Sequence, residues 1–429
     1  MRWLVALIPV AAWAQMAGMP GMDMDAKSGM GMADMNPAGM QQMNFASGTS
    51  QNPLSWPMPM AMYHYNHWNF MFMANAFLVD TQQSGPRGAD KLYSPNWAMA
   101  SASHRVGARG SFDTELMLSL EPATVTSRRY PLLFQTGETA YGQPLVDAQH
   151  PHNFVMGLGF RYTHEIADQT FVTLYAAPVG DPALGPVAYP HRASAMELPQ
   201  AALSHHWQDS THIAYEVVTV GIAHKQFRLE ASGFHGKEPG EDRWIIESGA
   251  IDSWSGRLWY LPSKNWAAQF SGGRIAQPEG PGTGDQIRLT SSVSYTRPIG
   301  DSSWSTSLIW GRNHDTATQR NLNSYLIESV VPVGAKNFVT GRAEMVDKDE
   351  LFAAQPAIES ALDATAGSTF RIRSYTVGYT RDFALWEPIE TGIGFNISTY
   401  SLPSAIKPYY GDHPVGGSVF LRVRLKGRH

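Results

Sequence analysis

Apolar and polar residues alternate with a period of two along most of the chain from residue 63 onward. The alternation is clearest at 227–233, 287–295 and 389–397, and it recurs at 304–310 with one apolar residue on the polar side. Because successive side chains of a β-strand point to opposite faces, this pattern predicts strands with one apolar and one polar face. The helical period of about 3.6 residues does not persist in this region, so a helical body is not expected.

About 16 alternating segments can be delimited, each roughly nine to fifteen residues long. A tilted strand of a membrane barrel needs about 9–11 residues, whereas strands of soluble sheets are most often about five or six residues long. Strand length therefore favours a membrane barrel over a soluble β-sandwich. The predicted segments lie near 64–80, 97–108, 111–120, 153–165, 170–178, 212–224, 226–236, 251–261, 265–275, 286–298, 303–313, 321–332, 336–347, 368–383, 388–400 and 415–427.

The connections between these segments alternate between short and long. Arg109-Gly110 and Lys225 are examples of short turns, and 121–152 and 179–211 are examples of long loops. Short turns on one rim and long loops on the other are typical of outer-membrane barrels. The predicted fold is therefore all-β, a transmembrane antiparallel β-barrel of about 16 strands over residues 63–429. An even number of strands places both of its ends on the short-turn, periplasmic side.

The first residues have the features of an export signal. Arg2 precedes an apolar run from Trp3 to Trp13, and Ala12 and Ala14 form a small-x-small cleavage site. We predict a signal peptide over residues 1–14. The chain contains no cysteine, which excludes disulfides and thiolate metal sites. Its formal net charge of -5 gives no reason to expect nucleic acid as a partner.

Methionine is concentrated behind this signal, because 12 of the chain's 20 methionines lie between residues 16 and 62. The composition of 15–62 predicts a disordered, periplasmic tail. Thioether sulfur is a soft donor that suits Cu(I), so we predict copper ions as ligands of the tail, with two histidines as nitrogen donors. A low-complexity linker, or sulfurs that scavenge oxidants, are the alternatives. The candidate ligands are Met19, Met22, Met24, Met30, Met32, Met35, Met58, Met60, Met62, His64 and His67.

Histidines form a second group of candidates. His150 and His152 flank Pro151 in an extended stretch, where their side chains would point to the same side and could bind Cu(II) or Zn(II). The alternative is that they are polar rim residues bonded to loop backbone. Together with Asp147, His205 and His206 they could also form an acid–base cluster at the outer rim. Because no nucleophile stands at a convincing position, we do not expect an enzyme.

The polar face of the strands carries charges of both signs. If the alternation holds, these charges project into the lumen, where we expect most of them to pair with one another. The balance of signs does not indicate cation or anion selectivity. The charges predicted to face inward are Asp113, Glu115, Arg228, Glu230, Arg257, Arg288, Arg342, Glu344, Glu390, Arg422 and Arg424.

A methionine-rich exported tail that leads into a barrel resembles the copper-resistance B family of bacterial outer-membrane proteins. The residues that carry the resemblance are Met16 to Met43 and Met58 to Met62. The resemblance implies that the tail sequesters copper and that the barrel carries or holds it at the outer membrane.

The function expected from the sequence is copper binding through the tail by an outer-membrane β-barrel that supports copper resistance or export. A general porin or solute channel without metal specificity is the alternative. The expected partners are outer-membrane lipid, soft metal ions and periplasmic copper-handling proteins. The expected location is the cell outer membrane of a Gram-negative type of envelope, with the tail in the periplasm.

Overall fold

The computed structural model describes residues 35–280, 283–365, 367–386 and 389–426. Most of these residues lie in strands. The strands are β1 (Ala61–Tyr65), β2 (Trp68–Gln83), β3 (Lys91–Tyr93), β4 (Asn96–Val106), β5 (Gly110–Leu118), β6 (Tyr130–Ala140), β7 (Gln143–Gln149), β8 (Val155–Ala167), β9 (Thr170–Gly180), β10 (Ala214–His224), β11 (Phe227–His235), β12 (Ser253–Ser263), β13 (Trp266–Ile275), β14 (Gln286–Ile299), β15 (Ser302–Asp315), β16 (Asn321–Pro332), β17 (Asn337–Lys348), β18 (Phe370–Trp386), β19 (Ile389–Ser401) and β20 (Val415–Leu425).

The helices among these residues are short. They are α1 (Pro37–Gln42), α2 (Glu121–Thr124), α3 (His205–Gln208), α4 (Pro356–Thr365) and α5 (Lys407–Tyr410), with single 3₁₀ turns between them. None of the described helices is long and apolar enough to cross a membrane.

Sixteen of the strands, β2, β4, β5 and β8–β20, form a closed antiparallel barrel. Closure is made by β20 pairing with β2, from Arg424 opposite Asn75 to Gly416 opposite Gln83. Because each barrel strand has two neighbours, the wall has no open edge and its backbone polar groups are paired within the protein. The predicted fold class is confirmed. The short strands β1 and β3 add to β2, and β6 and β7 form a separate hairpin within a long loop.

The two faces of the wall differ as the alternation predicts. On β11, Phe227 and Leu229 are exposed on the outside, while Arg228 and Glu230 between them are buried in the lumen. All the charges predicted to face inward do so, and most of them are buried. The inward apolar residue expected in 304–310 is Ile309, which packs against Ala202 and Leu326. An apolar outer face around a polar interior is the arrangement that lipid requires.

Aromatic side chains near the strand ends mostly face outward. Trp254, Tyr260, Trp266 and Trp304 are exposed, as expected of an interfacial girdle. Tyr400, also near a strand end, instead faces the interior, where its ring centroid lies 5.0 Å from that of Phe134. Its partner belongs to a long loop folded over the barrel, which the local pattern of β19 does not reveal.

The alternation in the predicted segment 368–383 changes phase near Ser374, which indicates either a bulge or a wrong boundary; the strand runs over Phe370–Trp386 without a bulge at Ser374. Strand β18 keeps one register with β17 throughout, and its irregularity with β19 lies between Phe383 and Trp386. The apparent change of phase arises because Phe370 and Ile372 face inward onto an apolar cluster formed with the long loops.

The connections follow the predicted rhythm. Short turns at 107–109, 168–169, 225–226, 264–265, 300–301 and 333–336 lie on one rim. The long connection between β9 and β10, residues 181–213, folds into the barrel, and we refer to it as the inserted loop. Almost all of its residues are buried. It crosses the lumen from Ser232 of β11, which accepts from the Ala183 N–H, to Thr81 of β2, which accepts from Gln200.

The N-terminal segment, residues 35–62, also enters the lumen. Asn36 caps α1 and donates to the Gly110 carbonyl near the short-turn rim, and Arg228 of β11 donates to the carbonyl of Thr49. The chain then returns to that rim, where the Ser55 N–H donates to the Lys264 carbonyl. The prediction of a disordered periplasmic tail over 15–62 was therefore wrong for residues 35–62, because lumen-facing groups bind their backbone. Residues 15–34 lie outside the described residues.

Candidate functional site in the filled lumen

Ion pairs fasten the inserted loop to the barrel wall. Arg192 donates from Nε to Glu328 at 2.6 Å and from Nη1 to Asp209 at 2.9 Å, while Arg342 binds the second oxygen of Glu328 at 2.9 Å. Four strands further along the wall, Glu197 of the loop pairs with Arg422 and Arg424 of β20. Buried charges are stable only when paired, so these contacts hold the loop in one place. Several of the charges predicted to face inward also pair, but with neighbours on the adjacent strand, as Glu230 does with Arg257 and Glu390 does with Arg424.

Thioether side chains line one side of the lumen. Met73 of β2 stands opposite Met99 of β4, and Met99 stands opposite Met117 of β5. Because directly opposed residues of paired strands have neighbouring side chains, these three form a continuous row. The row belongs to a buried cluster that we call the methionine wall, which consists of Met58, Met60, Met71, Met73, Met99, Met117 and Met156.

A cavity of about 20 Å³ adjoins the methionine wall. Its lining includes Met35 and Met43 from the N-terminal segment, Met62 of β1, and Met71 and Met99 of the wall. A site of this volume accommodates about one water molecule or a small ion. Soft sulfur donors from two parts of the chain therefore meet at the edge of one small cavity.

The structure separates the predicted tail ligands into three groups. Met19, Met22, Met24, Met30 and Met32 lie outside the described residues. Met58 and Met60 belong to the methionine wall, and Met35 and Met62 line the small cavity beside it. His64 of β1 bonds Asn69 through Nδ1 at 3.0 Å, and His67 is exposed in the turn between β1 and β2.

The sequence analysis missed the methionines of the barrel strands, namely Met71, Met73, Met99, Met117 and Met156. Each is isolated in sequence from the tail and reads as an ordinary apolar residue. Their position in the alternation could have identified them. Met71 and Met73 stand at odd-numbered positions of β2, on the same face as the buried polar residues Asn69 and Asn75. That face points to the lumen rather than to lipid.

The histidines gather inside the barrel. A chain of ring contacts runs from His150 to His206 at 5.6 Å, on to His205 at 5.3 Å, to His212 at 5.3 Å and to His152 at 5.4 Å between ring centroids. All five rings are buried. His150 and His152 lie just before the start of β8 and are buried beneath the inserted loop, and Nδ1 of His150 lies 3.1 Å from the Pro151 carbonyl of the loop backbone. We call these five residues the histidine cluster.

Acceptors in the surroundings orient three of these rings. His152 donates from Nδ1 to Glu121 at 2.9 Å, and His205 donates from Nδ1 to Asp209 at 2.7 Å. His212 donates from Nδ1 to the Asp209 carbonyl at 2.8 Å, which fixes the proton on that nitrogen. With the proton on Nδ1, Nε2 of each ring carries the lone pair; that of His152 accepts a long hydrogen bond from the Tyr189 hydroxyl, and that of His212 is buried without a hydrogen-bond partner.

Burial disfavours the charged form of His205, His206 and His212. Desolvation lowers the pKa of His205, although Asp209 opposes this shift, and it lowers the pKa of His206 and His212 well below the usual value. The pKa of Asp209 itself falls despite burial, because His205 and Arg192 favour its anionic form. Neutral imidazole is the form that binds metal ions.

Two of the predicted arrangements are absent from the described residues. Asp147 does not join the histidines, because it accepts hydrogen bonds from the Phe134 N–H and pairs with Arg87 at 2.6 Å. The carboxylate next to His150 is that of Glu138, whose Oε1 lies 2.9 Å from Nε2 of His150. Within the described ranges, no three His, Asp or Glu side chains form a ready-made metal cage.

Solved structures of outer-membrane porins are similar to this fold. The anion-selective porin of Comamonas acidovorans matches with a TM-score of 0.50 and 11% identity over 83% of this chain and all of that one. The OmpF protein of Salmonella typhi, solved as a complex with daunomycin, matches with a TM-score of 0.51 and 9% identity over 85% of this chain and all of that one. At these identities the likeness concerns the fold alone.

No family model and no curated protein matches this sequence. The resemblance to the copper-resistance B family therefore stays a prediction.

Proposed function

We propose that the protein is a channel of the outer membrane, in contact with outer-membrane lipid, and not an enzyme. A closed wall of 16 strands with an apolar outside and a charged inside is the observation that carries this proposal. Porin-like solved structures support it through their fold. The short-turn rim, where Asn36 of the N-terminal segment donates to the Gly110 carbonyl, would face the periplasm, as in other outer-membrane barrels.

The inserted loop and the N-terminal segment make this a restricted passage. Both occupy the lumen, and their contacts reach β2, β11, β15, β16 and β20. A passage filled in this way should conduct far less than an open barrel of the same strand number. Small solutes or single ions are the cargo that such a lumen fits.

Planar-bilayer recording tests the channel. We expect the purified chain to show small conductance steps, and variants that release the inserted loop to show larger ones. Large, porin-like steps in the wild type would contradict the restriction. If neither the wild type nor any loop-releasing variant conducts ions, the proposal that the protein is a channel is contradicted.

A second function, soft-metal binding in support of copper resistance or export, is favoured by the methionine wall. Met73, Met99 and Met117 offer adjacent sulfurs inside the barrel, and thioethers prefer Cu(I) among biological metals. The methionines of the tail would supply further sulfurs on the periplasmic side. Periplasmic copper-handling proteins would then be its natural partners.

Competition with a chromophoric Cu(I) chelator tests this second function on the full mature chain. The triple variant Met73→Leu, Met99→Leu and Met117→Leu keeps side-chain volume but removes the sulfurs. We expect it to bind fewer Cu(I) ions than the wild type. Met345→Leu, on the outward face of β17, is the matched control and should bind as the wild type does. Equal Cu(I) binding by the triple variant and the wild type would contradict a role for the wall.

A further inference from the structure

We propose that the histidine cluster contains a binding site for one divalent transition-metal ion, Zn²⁺ or Cu²⁺, with His152, His205 and His212 as ligands. This site is separate from the methionine wall and does not depend on the channel function proposed above. Its donors are imidazole nitrogens, which suit borderline divalent ions, whereas the thioethers of the wall suit Cu(I).

The spacing of the rings fits such a site. Two imidazoles that bind one Zn²⁺ tetrahedrally, through nitrogens at about 2.0–2.1 Å, have ring centroids roughly 5 Å apart. The centroids of His205 and His212 are 5.3 Å apart, and those of His152 and His212 are 5.4 Å apart. His212 therefore stands between two partners, each at the separation that a shared ion needs.

The hydrogen bonds of the three rings have the pattern of metal ligands. A metal-binding histidine nearly always donates its other ring N–H to a carboxylate or a carbonyl. His152 donates to the Glu121 carboxylate, His205 to the Asp209 carboxylate and His212 to the Asp209 carbonyl. Glu121 also accepts the backbone N–H of His152 at 2.8 Å, so the backbone beside this ring is held as well. All three Nε2 atoms are thus the available donors.

Tyr189 and a small cavity lie next to these histidines. The hydroxyl of Tyr189 lies 3.4 Å from Nε2 of His152, and its ring centroid is 5.2 Å from that of His205. A cavity of about 30 Å³ borders both His152 and Tyr189, which is room for a water as fourth ligand.

Metal binding requires side chains to move. The three rings do not form a closed cage in the described structure, so their Nε2 atoms must come together around the ion. The unpartnered, buried Nε2 of His212 gains a ligand in that movement. A buried acceptor without a partner is costly, and coordination would remove that cost.

Zn²⁺ titration of the full mature chain, in competition with a chromophoric chelator, tests the site. We expect one tight Zn²⁺ per wild-type chain, and at least a roughly 100-fold weaker affinity in the double variant His205→Ala and His212→Ala. Glu121→Gln, which keeps every ligand but weakens the anchor of His152, should lower the affinity about 10–100-fold. His224→Ala, an exposed histidine at the end of β10, is the matched control and should bind as the wild type does.

Unchanged Zn²⁺ affinity in the double variant, or an equal loss in His224→Ala, would overturn the proposal. X-ray absorption of the Zn²⁺-loaded wild type decides the matter even if the variants fail to fold. Scattering from about three imidazoles supports the site, and scattering from sulfur would place the ion at the methionine wall and overturn it. Cu(I) binding by the double variant should equal that of the wild type, which separates this site from the second function proposed above.

Discussion

Arg192 of the inserted loop donates a hydrogen bond to Glu328 of β16 over 2.6 Å, and neither side chain is more than 1% exposed. Glu328 also accepts from Arg342 and from the hydroxyl of Ser194. One carboxylate of the wall therefore holds two arginines and a serine. Through Arg192 and Ser194, Glu328 is thus a buried anchor of the loop on β16.

Replacing this carboxylate should release the loop. In Glu328→Gln, Arg192 and Arg342 lose a buried countercharge, and breaking a buried pair costs about 3–5 kcal/mol. We expect a lower melting temperature and larger conductance steps in planar bilayers. Asp412→Asn is the control, because its pair with Lys407 is exposed and such pairs contribute about 0–1 kcal/mol. Identical conductance in Glu328→Gln and the wild type would argue against a loop held by this carboxylate.

A glycine of the wall permits the close approach of the same loop. A Cβ at Gly311 of β15 would overlap the carbonyl oxygen of Trp207, whereas a Cβ at Gly341 of β17 would meet no atom within 4 Å. Gly311→Ala should displace α3 and increase conductance, while Gly341→Ala should change neither stability nor conductance. Thermal unfolding and bilayer recording of the two variants check this contrast. Equal behaviour of the pair would mean that α3 does not lie against β15.

The outward face should tolerate charge poorly. Leu229 lies on the outside of β11 and is more than half exposed. Leu229→Arg should reduce folding into bilayers, because an arginine on the lipid face costs about 2–4 kcal/mol near the membrane midplane. Gln226→Arg, in the short turn before β11, should fold normally, as judged by heat-modifiable migration in gels. Normal folding of Leu229→Arg would contradict a lipid-facing position.

The alternation of polar and apolar residues was sufficient to predict the barrel. The period-two pattern is local, and each strand carries it independently of its neighbours. The inward charges, such as Glu230 and Arg257, followed from the same parity, and their pairing at 2.9 Å is confirmed. Lumen and lipid differ so strongly as environments that one face of each strand is determined by its own residues.

The filling of the lumen was not predictable in this way. The N-terminal segment has a composition that buries little surface by itself, so local reasoning predicts disorder. Inside the barrel, Arg228 and Asn36 make hydrogen bonds between this segment and the wall that no local pattern encodes. The row of Met73, Met99 and Met117 likewise exists only through strand register.

The histidines were partly predictable. The sequence pointed to His150, His152, His205 and His206 as a group, and the structure brings them together. Their burial was not predictable, because a long loop can lie open on a rim or fold over its neighbours with the same composition. The role of His212 as the link between His152 and His205 depends on the turn that ends the inserted loop.

A disulfide across the lumen tests the central claim most directly, namely that the inserted loop occupies the inside of a closed barrel. Ser194 of the loop and Ser307 of β15 share a hydrogen bond of 2.8 Å, and the chain has no cysteine of its own. In Ser194→Cys/Ser307→Cys the only thiols are the introduced pair. We predict that mild oxidation of the folded protein joins them completely, as read by mass spectrometry, without increasing conductance. Two free thiols that react with a bulky reagent from outside would show that the loop lies elsewhere.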